Sequence, residues 1–241
     1  MWRKNKQEKH TFVSAVIPAA GSSTRMGENI NKLLMQLDNI PVLVRTLLCF
    51  QNNENIDEIV LVCRESDILQ YAELCKVFSI TKVSQIVRGG DTRTESVLCG
   101  VKACSQKSEF IAVHDGARPL ISQNMLTQVV LDAIKYGAAA PVVACKDSIK
   151  RIENGFIAGD VKRDSICAVQ TPQIFAKDVL EKALSSAKSA GLSLTDDCGA
   201  VERIGVNVFA SVGDYRNIKI TTPEDIILAE AFLKEIEQDE F

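Results

Sequence analysis

The stretch "AVIPAAGSSTRMG", residues 15–27, decides how this chain is read. An apolar run ends at Pro18. Ala19, Ala20 and Gly21 follow with almost no side chain, and then come Ser22, Ser23, Thr24 and Arg25. As a β-strand running into a loop, the stretch leaves backbone N–H groups that a ligand can approach closely. Hydroxyls add further donors, and Arg25 brings a guanidinium that stays charged at any working pH. Lys32 places a second cation seven residues later. Such a loop suits a polyphosphate. It is neither a P-loop, since G-x-x-x-x-G-K-[ST] is absent, nor the G-x-G-x-x-G dinucleotide fingerprint. The other reading of these small residues is a tight strand-to-helix turn with no ligand.

Working outward, short β-branched runs alternate with helical patterns. Strands are predicted at 12–18, 56–63, 82–90, 109–119 and 138–145, with helices at 41–51, 65–78, 92–104 and 122–137. This rhythm predicts an α/β fold, a mostly parallel twisted sheet with helices on both faces. Ligands of such sheets bind beyond the carboxyl ends of the strands. Residues 146–169 break the rhythm with short alternating stretches and the turn signals "NG" and "AGD", which predict a protruding β-hairpin arm. A helix near 176–190, a short helix near 196–204, a strand at 207–213 and a final helix from "TPEDI" complete the chain. With no repeat or linker, residues 11–241 read as a single domain with its arm at about 146–169. The basic residues 1–10 read as a disordered tail.

Composition narrows the function. The chain has 241 residues and a net charge of −3, which offers no global attraction for nucleic acid or an anionic membrane. No apolar run is long enough for a membrane span. The eight cysteines form no C-x-x-C pair and sit mostly in apolar contexts, as reduced thiols of a cytoplasmic protein would. With His10 and His114 the only histidines, a His-rich metal site is excluded.

The segment "PAAGSSTRMG…NKLL" resembles the signature loop of the sugar-phosphate nucleotidyltransferases, which have a Rossmann-like catalytic fold. "RGGDTRTESVLCG" (88–100), "VHDGARP" (113–119), "TPQIF" (171–175), "LTDD" (194–197) and "NIKITTPEDI" (217–226) follow in order. Together these blocks are similar to the 2-C-methyl-D-erythritol 4-phosphate cytidylyltransferases of non-mevalonate isoprenoid synthesis, over nearly all of the chain after residue 11. The resemblance implies cytidylyl transfer from CTP to methylerythritol phosphate with loss of pyrophosphate, a Mg²⁺ held mainly by the CTP phosphates with no protein ligand named, and a homodimer built through the arm.

It also implies roles for individual residues. Arg25 and Lys32 meet the charge that develops at the α-phosphate and the leaving group. Ala19, Ala20, Gly21 and Ser23 contact the nucleotide. Gly90, Asp91 and Ser96 form the cytosine pocket, where Asp91 or Thr92 is equally suited to cap a helix. Asp115 touches ribose, the second substrate or a hydrated Mg²⁺, or else bonds loop N–H groups. Arg163 reaches the methylerythritol phosphate of the neighbouring subunit. Thr171 and Thr195 are further substrate contacts, and Lys219, at the end of an apolar strand, holds the attacking phosphate. The family commonly has proline where this chain has Asn31, which puts the stiffness of that loop in question. His114 reads as structural, because a phosphate nucleophile needs no base at neutral pH. Ribitol-5-phosphate cytidylyltransferase, of the same fold, is the nearest rival. A nicotinamide-dependent oxidoreductase lacks its glycine fingerprint here. A non-catalytic nucleotide sensor would have lost Arg25, Lys32 or Lys219.

Overall fold

The structure, a computed structural model, describes residues 10–21, 31–192 and 194–239. The basic tail 1–9 and the loop stretch carrying Ser22, Ser23, Thr24 and Arg25 lie outside the described residues.

Strand β1 (Val13–Pro18) sits in the middle of the main sheet. It pairs in parallel with β4 (Glu58–Cys63) on one side and β6 (Phe110–Val113) on the other, and β5 (Val83–Arg88) extends the sheet in parallel beyond β4. Alternate residues of these strands face opposite cores. Val13, Ala15 and Ile17, with Ile59 and Leu61, pack under helices α1 (Val42–Gln51), α2 (Ile68–Val77) and α4 (Gln123–Tyr136). Val16, Val60 and Val62 face α3 (Arg93–Ala103), α5 (Lys177–Ser189) and α6 (Asp197–Arg203). Burial on both faces explains why β1 and β4 read as near-continuous apolar runs.

The far half of the sheet is mixed. Strand β7 (Ala138–Ala144) pairs in parallel with β12 (Phe209–Val212) and antiparallel with β10 (Cys167–Val169) and β11 (Gln173–Ala176); β11 also runs antiparallel to β6. Helix α7 (Pro223–Asp239) closes a third small core with Leu37, Val42, Leu120 and Ile220, beside the two-residue strands β2 (Gln36–Leu37) and β3 (Ile40–Pro41).

The hairpin is β8 (Lys150–Glu153) with β9 (Phe156–Asp160), a separate two-stranded sheet. Asn154 and Gly155 at its tip have φ of 51° and 84°, the left-handed pair that a two-residue turn needs. Its extent differs from the sequence reading in two ways. "AGD" lies within β9 instead of turning, and Cys167–Val169 rejoin the main sheet because their backbone completes the ladder of β7. Strand β6 is also shorter than 109–119, since the chain leaves the sheet at His114.

His114 is fully buried against the ring of Phe50, at 4.9 Å between centroids. Its Nε2 lies 3.0 Å from the Arg118 carbonyl, which can only accept, so Nε2 carries the proton. Nδ1 then accepts from the Thr171 hydroxyl at 3.1 Å, and that oxygen in turn accepts from the Asp115 N–H at 3.2 Å. Burial holds the His114 pKa down at about 4, from 6.5. The unfolded chain therefore takes up this proton first as pH falls, and stability is lost between about pH 6.5 and pH 4.

Two outcomes follow from this packing. Chemical denaturation across that pH window should show a loss of about 3 kcal/mol attributable to His114. A His114→Gln variant should be less stable at neutral pH but lack that part of the slope; an identical slope would rule the assignment out. Helix α3 meets the sheet at Gly100, where an added Cβ would lie 2.4 Å from Val16 Cγ1 and 2.8 Å from Val62 Cγ2. Gly100→Val should cost about 3 kcal/mol through overpacking, read as a shifted denaturation midpoint at unchanged slope.

Candidate active site

A cleft of about 400 Å³ opens at the carboxyl ends of β1, β5 and β6. The loop after β1 contributes Ala19, Ala20 and Gly21. The turn after β5 contributes Gly90, Asp91 and Thr92, and the first turn of α3 contributes Arg93 and Ser96. Asp115 enters from beyond β6, and Lys32 and Lys219 complete the wall. Nine of the residues singled out from sequence thus meet in one place: Ala19, Ala20, Gly21, Lys32, Gly90, Asp91, Ser96, Asp115 and Lys219.

Helix α3 begins at this cleft, and its cap is Thr92. The Thr92 hydroxyl accepts from Glu95 N at 3.1 Å, while the Glu95 carboxylate accepts from the N–H groups of Asp91 and Thr92 at 3.1 and 3.2 Å. This settles the choice of cap and leaves the Asp91 carboxylate outside it. Ser96 donates to the Gly90 carbonyl at 3.3 Å. Gly90 admits no side chain, since its Cβ would lie 2.4 Å from that of Glu95.

Asn31 does what a stiffening residue would do in front of Lys32. Its Oδ1 accepts from Leu33 N at 3.1 Å, and its Nδ2 donates at 3.1 Å to the hydroxyl of the buried Tyr71. Lys32 therefore starts a short helical turn, Lys32–Leu34, capped by Asn31 and anchored by the buried Leu33 at its centre.

Asp115 is the electrostatic centre. Its Oδ2 lies 3.0 Å from Lys219 Nζ and 3.4 Å from Arg118 Nε. Burial pushes its pKa up, but Lys219, Arg93 and Arg118 together outweigh burial and hold it at about 2. Arg118 is tied on by a second bond, 2.7 Å to the Asn217 carbonyl. Lys219 lies on the irregular segment between β12 and α7, not at a strand end. That segment is pinned by the Ile220 N–H to the Ala117 carbonyl, 2.8 Å, and by the buried side chains of Asn217 and Ile220.

Arg93 and Asp197 were not singled out in sequence. The Arg93 guanidinium forks onto the buried Asp197 carboxylate at 3.0 and 2.7 Å. Burial raises the Asp197 carboxyl above its ordinary range, and Arg93 opposes this. The signal available was their place inside the blocks "GGDTRTES" and "LTDD", where each sits at the start of a helix that turns apolar.

Three expected contacts lie elsewhere. Thr171 is buried behind the cleft wall, beside a cis Thr171–Pro172 bond, with its hydroxyl committed to His114 and Asp115 N. Thr195 is exposed ahead of α6, outside the residues that line the cleft. Arg163 is exposed at the base of the hairpin, on a separate hollow with Asp147, Lys150 and Asp160. Ser23 and Arg25 fall outside the described residues. All eight cysteines are free thiols. Among the described residues no helix is long and apolar enough to cross a membrane, and no group of three or more His, Cys, Asp or Glu could hold a metal.

Known proteins are similar to this chain in sequence and fold. The family profile of 2-C-methyl-D-erythritol 4-phosphate cytidylyltransferase (IspD) matches residues 13–235. The enzyme of that name from Bacillus licheniformis is 41% identical over 225 residues, spanning 93% of this chain and 97% of that one. Its counterpart from Geobacillus kaustophilus is 42% identical over 219 residues, 91% of this chain and 96% of that one. The crystal structure of 4-diphosphocytidyl-2C-methyl-D-erythritol synthase from Anaerococcus prevotii superposes with a TM-score of 0.83 at 31% identity, covering 94% of this chain and all of that one. The Thermus thermophilus cytidylyltransferase structure gives 0.75 at 29% identity, covering 91% and 98%. A profile match over this length, and relatives this similar over nearly their whole length, show that the chain belongs to the 2-C-methyl-D-erythritol 4-phosphate cytidylyltransferase family.

Proposed function

We propose that this chain transfers a cytidylyl group from CTP to 2-C-methyl-D-erythritol 4-phosphate, releasing pyrophosphate, in isoprenoid precursor synthesis. Membership of the family supports the reaction. The observation that carries it to particular atoms is the Lys219–Asp115 pair, 3.0 Å apart in the same cleft as a side-chain-poor loop.

CTP would lie with its base against Gly90, Asp91 and Ser96 and its triphosphate over the Ala19–Gly21 backbone and Lys32. Arg25 would meet the same phosphates. The ammonium of Lys219 gives one donor to Asp115 and keeps two for the oxygens of the second substrate's phosphate. One of those oxygens attacks the α-phosphorus in line. The new P–O bond forms as the bond to pyrophosphate breaks, and the protein supplies positioning and fixed positive charge rather than a nucleophile. No base is needed, which agrees with His114 being buried and neutral.

Mg²⁺ fits this cleft in the manner usual for nucleotides, through phosphate oxygens and water. The protein's own offering is the ionised Asp115 carboxylate, a hard oxygen donor on the cleft wall. When bound, the ion would neutralise phosphate charge. We place the enzyme in the cytoplasm, where its free thiols would stay reduced.

Arg163 lines a separate hollow and not the cleft of its own chain, and the hairpin that precedes it exposes Ile152, Phe156 and Ile157 by 73–77%. A lone hairpin of this kind needs something to pack on. A homodimer in which the arm covers a second copy supplies that and delivers Arg163 to the other cleft. Thr195 would contribute from the cleft rim, and Thr171 through the peptide of Asp115.

The test is pyrophosphate release with CTP and either methylerythritol phosphate or ribitol 5-phosphate; faster turnover of ribitol phosphate would overturn the substrate assignment. Lys219→Ala and Arg25→Ala should each lower turnover by about 10²–10³-fold. Arg163→Ala should also be inactive. Co-refolding it with Lys219→Ala should restore about a quarter of wild-type activity, because half the dimers then hold one intact site. Absence of recovery would place Arg163 in its own chain's site or in none.

A further inference from the structure

The ends of β1, β4 and β5 are stitched together just below the cleft. Ala19 N–H donates to the Val62 carbonyl at 2.6 Å, and Gly89 N–H to the Cys63 carbonyl at 2.9 Å. The next residue of the middle strand is Arg64. Its exposed side chain reaches back over the loop that follows β1, where Nε donates to the Ala20 carbonyl at 3.2 Å and Nη2 to the Gly21 carbonyl at 2.7 Å. One rigid guanidinium thus holds two successive peptide groups, which a lysine ammonium on a flexible stem cannot reproduce in the same geometry.

The consequence for the loop comes from peptide geometry. In a planar trans peptide the C=O and the following N–H point in opposite directions. The Ala20 carbonyl faces Arg64, so the Gly21 N–H faces away from it. Arg64 lies in a second hollow beside the cleft, with Glu65 and Arg88, and is not among the residues that line the cleft itself. Ala20 borders both spaces, as do Gly90 and Asp91, whereas Gly21 borders only the cleft. Among the described residues, nothing lies within 4 Å of where a Cβ on Gly21 would be, so no packing against that position orients its peptide. The hydrogen bonds to Arg64 do that work.

We infer that Arg64 is a positioning residue for the nucleotide: it clamps the carbonyls of Ala20 and Gly21 from behind and thereby aims the Gly21 amide at the polyphosphate. The inference rests on the reading of this cleft as the CTP site. Arg64 touches neither substrate and acts through the backbone, so its removal should weaken binding of the triphosphate and of pyrophosphate while sparing the second substrate.

The experiment compares wild type with Arg64→Ala, Arg64→Lys and Arg88→Ala, using steady-state kinetics, inhibition by inorganic pyrophosphate and thermal melting. Arg64→Ala should raise KM for CTP and Ki for pyrophosphate together by about five- to tenfold, the scale of losing one or two charge-assisted bonds at one remove. Its kcat, its KM for methylerythritol phosphate and its Tm should stay close to wild type. Arg64→Lys should recover part of the loss. Arg88→Ala removes an equal charge from the same hollow, where Arg88 pairs with Glu65 at 3.2 Å, and should leave both constants unchanged. Unchanged CTP and pyrophosphate constants in Arg64→Ala would overturn the inference, as would an equal effect of Arg88→Ala or a parallel rise in both KM values with a lowered Tm. CTP turnover by the wild-type enzyme is scored separately: its absence would overturn the reading of the cleft, and the inference with it.

Discussion

One buried carboxylate organises this molecule's functional end. Taking Asp115 out of water would by itself favour its neutral form. The fold instead brings Lys219 and Arg93 to it from distant stretches of chain, beside Arg118 from its own loop, and the carboxylate stays ionised. The interaction works in both directions. The cations keep Asp115 charged, and Asp115 gathers in one place cations that would otherwise repel one another. Phosphate-binding sites face this problem generally, because positive charge must be concentrated before the anion arrives.

Around that centre, backbone segments with no secondary structure are held by side chains. Thr171 carries the Asp115 amide and is itself held by His114, whose tautomer is set by the Arg118 carbonyl. Gln173 accepts from the N–H groups of Asp197 and Cys198 and donates to Asp196, which fixes the start of α6 and, through Asp197, the guanidinium of Arg93. Asn31 does comparable work for the turn that carries Lys32, and Arg64 for the peptides of Ala20 and Gly21. Each clamp lies one step behind a residue of the cleft wall. The wall itself is left to glycine, alanine and a few charges, the composition a site needs when the ligand supplies most of the bulk.

The hairpin has the opposite character. Its two strands pair with each other and not with the main sheet, and its apolar residues face outward. The pairing of Ile152 with Ile157 and the ion pair of Lys150 with Asp160 define its register. Neither supplies the apolar cover that a free-standing hairpin lacks. In the proposed homodimer a second copy of the chain would supply that cover.

Sequence by itself determined the order and type of most elements, because alternation of buried faces is a local property: the periodicities that mark α1 to α5 and β1, β4, β5, β6 and β7 are written within each segment. It also pointed to the residues whose chemistry is intrinsic, such as Lys32, Asp115 and Lys219, and to the small residues that make room beside them. Tertiary structure decided the rest. The antiparallel β11 and the return of β10 to the sheet depend on which edge of β7 was open, and no local pattern encodes that. Thr92 rather than Asp91 became the cap because Glu95 was in place to close the box. Thr171 moved behind the wall because a hydroxyl buried between His114 and the Asp115 amide is fully satisfied there. Arg93, Asp197 and Arg64 look like ordinary surface charges in a string of letters. Their roles arise from partners 104 or 43–44 residues away, and separations of that kind become contacts only when the chain is folded.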